Sequence, residues 1–507
     1  MAPDFMLRDV GTFAAGEGAA DAFDLVFHAG RLARHQPAPS RSGPRIFLTP
    51  GFWDAHVHLL HVGLRRQRLD LTPSRSLEEA LASLGRFAGE HPEMPVVWAE
   101  GWDESAWTEK RLPTREELDG VVADRIVVMR RVCGHLAVLN SRGLTGAAVR
   151  WSDLPADGVL TEDRAMGLAT LWPPTPAERD RALRDAQDAA LRLGILRVSE
   201  MGSEGSADAY LGLLKHDALK LDVHLYFKPT QIDLALRLRQ EGWLGQGRLH
   251  LGGVKAFADG SIGARTAALR APYADRADAG RLLMTDAALG RLFEECAAHE
   301  LPLAVHAIGD AAIAQVVEAA EATVARRGRP PHGWASVEHA ELLDDDLLDR
   351  ALAAGLRLSM QPNFIARWGE PGGLYETALG TERWRRLNPL RRAHDAGAVL
   401  VFGSDGMPMD PALGLRGAVH HPVEASRLSA EEALEIYLAT RLQPLIGWDT
   451  DGQWLSGCRH FVLYEADPRK LAGGDLKCAP VRAVLRDGQW LLPPAEDLRR
   501  RGVVHVA

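Results

Sequence analysis

Eight short apolar runs, each closed by a polar residue, alternate with Ala/Leu/Arg-rich stretches through the middle of this chain. They read "LTPGFWDAHVHLL" from Leu48, "GILRVSEMG" from Gly194, "LDVHLYFK" from Leu221 and "LHLGGVKAFADG" from Leu249. Then come "LPLAVHAIGD" from Leu301, "WASVEHAEL" from Trp334, "LRLSMQPN" from Leu356 and "AVLVFGSDG" from Ala398. Stretches such as "ERDRALRDAQDAALRLG" and "AALGRLFEECAAHE" lie between them and carry helical spacing. Strands that alternate with helices make parallel βαβ units, and eight of them make a (β/α)8 barrel. At 507 residues the chain is long enough for such a barrel and a further small module.

Both ends supply the material for that module. "DLVFHAGRLA" from Asp24, and "HFVLYEADP" and "VRAVLRDGQWLL" near the C-terminus, read as short strands around turns. The expected fold class is therefore α/β: a (β/α)8 TIM barrel over 48–444, with a small β-sandwich formed by 1–47 and 445–507. The stretch from about 72 to 175 is too long for a βα loop and holds its own apolar runs. It is expected to be an insertion after the first barrel strand, placed over the active site, because loops at that end of a barrel line its mouth.

The residues that close the runs form a chemical set. His56 and His58 stand two apart, so on a strand both face one way. Lys255 lies in the fourth run, His306 closes the fifth, His339 the sixth, and Asp405 follows the eighth. Barrel strands end around one opening, so four imidazoles, a carboxylate and a lysine would meet there. Neutral imidazole and carboxylate are ligands for zinc and similar divalent ions. Singly, each has an ordinary reading: a buried histidine packs in cores, and Asp405 in "GSDG" suits a turn or helix cap. Together they point to metal.

Composition limits the alternatives. The net charge is −9 and no basic stripe is evident, which argues against a nucleic-acid or anionic-membrane binder. Four cysteines without a CxxC pair suit a reducing compartment. The first residues lack a basic segment followed by an apolar one, and no uncharged apolar run reaches the length of a membrane helix. A cytoplasmic protein is expected. No G-x-S-x-G elbow or Gly-rich phosphate loop supports a serine nucleophile or a nucleotide cofactor.

The motifs "PGFWDAHVH", "VKAFADGSIGARTAAL", "HAIGD", "VEHAEL", "SMQP" and "GSDGMP", in this order, resemble the amidohydrolase superfamily, and in particular its YtcJ-like branch with the N-substituted formamide deformylases. "GHLAVLN" resembles a further segment of that branch. At two places the pattern departs: Arg459 and His460 stand where Ala-Asp is usual, and Ala311 follows Asp310 where a larger polar residue is common.

The resemblance implies two divalent metals, zinc with manganese or iron as alternatives. His56, His58 and Asp405 would hold one ion and His306 and His339 the other. Lys255, carboxylated by CO2 on its side-chain nitrogen, would bridge them, since an ammonium has no lone pair to offer. The implied reaction is hydrolysis of a non-peptide amide-type C–N bond by a metal-activated hydroxide, with Asp405 as proton shuttle and His135 polarising the substrate carbonyl. Arg265, Asp259, Trp102, Phe364 and Glu200 are the candidates for substrate contact; for Arg265 a structural salt bridge is the competing reading. A heterocyclic-amine deaminase or a lactone or carbamate hydrolase would use the same site, and an inactive scaffold is the non-enzyme alternative. The expected partner is a small-molecule substrate. The oligomeric state is open, a homodimer being common among large soluble enzymes.

Overall fold

The structure is a computed structural model and describes residues 5–12, 22–28, 31–37, 46–104, 107–131, 136–203, 205–245, 247–328, 331, 333–438, 460–494, 496–500 and 504–506. It divides into two compact units, Met1–Leu60 with Ala186–Ala507, and His61–Asp185.

The first unit holds the barrel. Its strands are β1 (Phe52–Val57), β2 (Ile195–Glu200), β3 (Asp222–Phe227), β4 (Leu249–Phe257), β5 (Leu303–Ala307), β6 (Ala335–His339), β7 (Arg357–Met360) and β8 (Val399–Phe402). Each pairs in parallel with the next in sequence. Strands of this kind are covered on both faces, which is why they read as continuous apolar runs rather than alternating ones; every residue of β1 and β2 is buried. The result is the (β/α)8 TIM barrel expected from the eight runs.

The end of β8 meets the end of β1. Asp405 N donates to the His56 carbonyl at 2.7 Å, and Ser404 N donates to Asp54 Oδ1 at 2.8 Å. Only glycine fits at 403, where a Cβ would stand 2.5 Å from His56 N. Gly51, just before β1, has φ +89°, and a Cβ there would stand 2.7 Å from Leu196 Cδ1. The helix Asp310–Arg327 illustrates the outer ring: an acid opens it, Arg326 and Arg327 close it, and Ile313, Val316, Val317 and Ala320 are buried.

Strands from both chain ends hydrogen-bond into one eight-stranded sheet. Ile46–Thr49 runs parallel to Phe5–Thr12 and antiparallel to His460–Tyr464. Phe5, Leu7, Phe27, Leu48, Phe461 and Leu485 form its core. Arg486 of this sheet donates to Asp222 at the start of β3, and Arg197 Nη2 lies 3.8 Å from the other oxygen of that carboxylate. These buried groups join the sheet to the barrel. Of the residues assigned to the sandwich, 1–4, 13–21, 29–30, 38–45, 445–459, 495, 501–503 and 507 lie outside the described ones.

The second unit contains the whole of the 72–175 stretch. Its five-stranded sheet pairs Leu69–Asp70, Val96–Trp102, Ile126–Arg131, Leu136–Leu139 and Val159–Thr161 in that order. Leu84, Val97, Trp102, Trp107, Leu118 and Met129 pack in its core.

Candidate metal centre

The side chains that close the barrel strands converge. His56 is the last but one residue of β1 and His58 follows the strand; His339 closes β6 and Asp405 follows β8. Ligand atoms of His56, His339 and Asp405 all lie within 4.8 Å of one another. Asp405 Oδ1 stands 3.7 Å from His56 Nε2 and 3.5 Å from His58 Nε2. The His339 ring is 4.7 Å from that of His56 and 4.4 Å from that of His306, centroid to centroid. Lys255, on β4, is buried, and its charge acts on His56, His306 and His339.

The backbone is bent to bring them in. His339 and Ala340 have φ of +74° and +49°, and Asp405 has +54°. L-residues adopt this region at a cost of about 1–3 kcal/mol each, and such positions cluster at functional sites. At His339 the turn breaks the alternation of the strand, so that Glu338 and His339, neighbours in sequence, both take part in the site.

Electrostatics favours the ligand form of three of the imidazoles, those of His56, His306 and His339. Burial, with the nearby Lys255 charge, holds His306 down at about 3 and keeps His56 and His339 well below the usual range. They are neutral at pH 7 and each offers a lone pair. Burial also lowers Lys255, against the pull of Glu338 and Asp405, and raises Asp405, against the pull of Lys255.

The residues present fit a divalent ion. A carboxylate oxygen, Asp405 Oδ1, faces two imidazole nitrogens at 3.5 and 3.7 Å, too far for good hydrogen bonds. Buried His339 Nδ1 and Lys255 Nζ have no hydrogen-bond partner, and polar atoms so placed are otherwise costly. A cation among neutral imidazoles and a carboxylate would satisfy the set.

The other expected residues are placed as follows. Phe364 lies parallel to the His339 ring at 6.0 Å and packs on Trp368. Glu200 is buried; it accepts from the Ser203 hydroxyl, from Tyr210 Oη at 3.0 Å and from Leu60 N at 3.2 Å. Asp259 is buried and accepts from the backbone N–H of Ile308, Gly309 and Ala268 at 2.8–3.0 Å; burial raises its carboxyl to about 7. It thereby fixes the segment after β5, with His306 Nε2 3.5 Å away. Arg265 is held by Asp275 through Nε and Nη2 and also donates to the Ile262 and Gly263 carbonyls. Trp102 is fully buried in the second unit, stacked on Trp107 at 5.3 Å. His135 lies outside the described residues.

Several residues that shape the site lie inside or beside the sequence motifs without standing out there. Glu338 Oε2 is 2.5 Å from His56 Nδ1. Ser203 Oγ is 3.2 Å from His58 Nδ1. Asp54 accepts from Ser404 N and Oγ and so ties the HVH segment to the loop that carries Asp405. Phe257, two residues after Lys255, is 44% exposed with its ring 4.9 Å from Lys255 Nζ and 5.3 Å from the His306 ring. Their place in the motifs VEHAEL, PGFWDAHVH and VKAFADGSIGARTAAL was the available signal for Glu338, Asp54 and Phe257.

Residues 46–449 match the amidohydrolase family (Amidohydro_3). The chain is 28% identical to YtcJ of Bacillus subtilis (strain 168) over 423 residues, 78% of each protein. It is 25% identical to the N-substituted formamide deformylase of Arthrobacter pascens over 495 residues, 87% of each. The crystal structure of a metal-dependent hydrolase from Pyrococcus furiosus superposes with a TM-score of 0.77 at 27% identity, covering 92% of this chain and 99% of that one. This chain belongs to the amidohydrolase family and is a metal-dependent hydrolase.

Proposed function

We propose that the protein hydrolyses the amide-type C–N bond of a small non-peptide substrate, an N-substituted formamide or N-acyl amine, to a carboxylic acid and an amine. The observation that carries this reading is the meeting of His56, His58, His339 and Asp405 beside His306 and Lys255 at one end of the barrel. The length of the match to the formamide deformylase supports the choice of bond.

The four histidines and Asp405 would hold divalent metal, two zinc ions or else manganese or iron. Lys255 would join them as the carbamate formed when its amine adds CO2 and releases a proton; its buried amine has no competing hydrogen bond. Bound metal supplies Lewis acidity, which polarises the substrate carbonyl and lowers the pKa of water. Asp405 takes the proton of the attacking water and gives it to the leaving nitrogen. Phe257 and Phe364 present apolar faces beside His306 and His339, a wall for the substituent on nitrogen or carbon.

The test is turnover of N-formyl and N-acyl amines by zinc-loaded protein, set against lactones and amino-heterocycles. Asp405→Asn is expected to lower kcat at least about 100-fold, the usual worth of a positioned acid–base group. Turnover confined to lactones or amino-heterocycles would overturn the choice of bond, and full turnover by D405N would overturn the shuttle.

A further inference from the structure

A neutral imidazole has one N–H, and the partner of one ring nitrogen decides which nitrogen keeps a lone pair. Two chain segments far apart in sequence make that decision for the HVH pair. Beside His56 stands the Glu338 carboxylate, whose Oε2 is 2.5 Å from Nδ1 and whose Oε1 accepts from Ser336 Oγ at 2.5 Å. With Oε1 already taken by the Ser336 hydroxyl, Oε2 is placed to accept from the ring, and His56 then carries its proton on Nδ1. Beside His58 stands Ser203, whose hydroxyl donates its one proton to Glu200 Oε1. The other oxygen of Glu200 already receives Leu60 N and the Tyr210 hydroxyl. The Ser203 oxygen can then only accept from His58, across 3.2 Å. In both rings Nε2 is left as the acceptor, and both Nε2 atoms face Asp405 Oδ1.

His306 shows that the setting is made residue by residue. Its Nε2 is 2.9 Å from the Gly260 carbonyl, which can only accept, so the proton is on Nε2 and the lone pair on Nδ1.

We infer that Glu338 and the Glu200–Ser203 pair are positioning residues that hold His56 and His58 in the Nδ1–H tautomer, so that both Nε2 lone pairs are aimed at Asp405 before metal arrives. This rests on the metal-ligand role of His56 and His58. Such outer partners are worth about 10–100-fold in metal affinity. They also remove the need to reorganise the rings when the ion binds.

Ser203→Ala takes away the acceptor of His58, while Ser203→Thr keeps a hydroxyl. Glu338→Gln keeps the shape beside His56 and puts an amide in place of the carboxyl group. The probe is zinc alone, its affinity measured by chelator competition, together with the 15N shifts of histidine in the metal-free full chain, which report the tautomer. S203A is expected to bind zinc about 10–100-fold more weakly and to lose the pure Nδ1–H signature of one histidine. S203T is expected to restore both, and E338Q to weaken zinc binding by about 10-fold. A purely structural role would lower the urea midpoint of the metal-free variants and leave tautomer and affinity in place. Zinc affinity within about twofold of wild type in both S203A and E338Q overturns the inference. Should S203A not fold, E338Q decides alone. A wild-type chain that takes up no zinc would overturn the metal-ligand reading itself, while the tautomers would still be measured.

Discussion

Gly403→Ala adds a single methyl group at the seam of the barrel. Its Cβ would stand 2.5 Å from His56 N, 2.6 Å from His56 Cβ and 2.8 Å from His56 Cα. Ordinary contact begins at 3.4 Å, so the ends of β1 and β8 must part by about 0.9 Å, the difference between 3.4 and 2.5 Å. The neighbour is backbone, which cannot swing aside as a side chain would. The cost should therefore lie near the upper end of overpacking penalties, about 3 kcal/mol. The same movement separates His56 from Asp405, and a metal site tolerates departures of only about 0.2 Å in its ligand distances. G403A should lower the urea midpoint of the metal-free protein, weaken zinc binding, and reduce kcat about 100-fold, the scale of a 1 Å misplacement. Urea unfolding followed by fluorescence and chelator competition read the first two directly. A G403A protein with wild-type midpoint and wild-type zinc affinity would refute the view that this seam sets the geometry of the site.

Arg486→Ala leaves Asp222 buried with only the longer contacts to Arg197 at 3.8 Å and His250 at 3.7 Å; it should cost about 3 kcal/mol in a urea titration, since one member of a buried ion pair is removed, and an unchanged midpoint would contradict that role. His421 is buried and accepts from Val423 N on Nδ1 at 3.1 Å; burial holds its imidazole down from 6.5 to about 4. The unfolded chain thus takes up a proton that the folded one refuses. The contribution is complete above pH 6.5 and is lost as pH falls toward 4, about 3 kcal/mol in all by linkage. His421→Gln should flatten the acid limb of the stability–pH curve, and an unaltered limb would show that other groups govern it.

The barrel and the convergence of its polar strand ends were legible because one physical fact produces both. Parallel barrel strands are apolar on two faces, so each announces itself as a run, and the first polar residue at its end marks the mouth. That placed His56, His58, Lys255, His306, His339 and Asp405 in register without any structure. What could not be read were contacts between distant strands. The bond from His56 to Glu338 spans 282 residues and that from His58 to Ser203 spans 145; Glu338 stands in the VEHAEL motif, but nothing in the sequence pairs it with His56 or Ser203 with His58. The left-handed φ at His339 also defeats the period-two reading that would turn Glu338 away from a site containing His339. Arg265 was evenly poised between salt bridge and substrate, and its guanidinium is engaged by Asp275, ten residues on. Asp259 and Glu200 read as pocket carboxylates because acids at strand ends resemble ligands. In the fold their oxygens accept from backbone amides and hydroxyls, and through them they brace the segments that carry the site.

The central claim is that His56 and His58 hold the catalytic metal. It is tested most directly by the metal content of the wild-type chain and of the His56→Ala/His58→Ala double variant, each equilibrated with zinc, desalted and measured by elemental mass spectrometry. The account predicts divalent metal retained by the wild type, and a double variant that keeps its helix and strand content by circular dichroism while losing that metal. A folded double variant with undiminished zinc would contradict it.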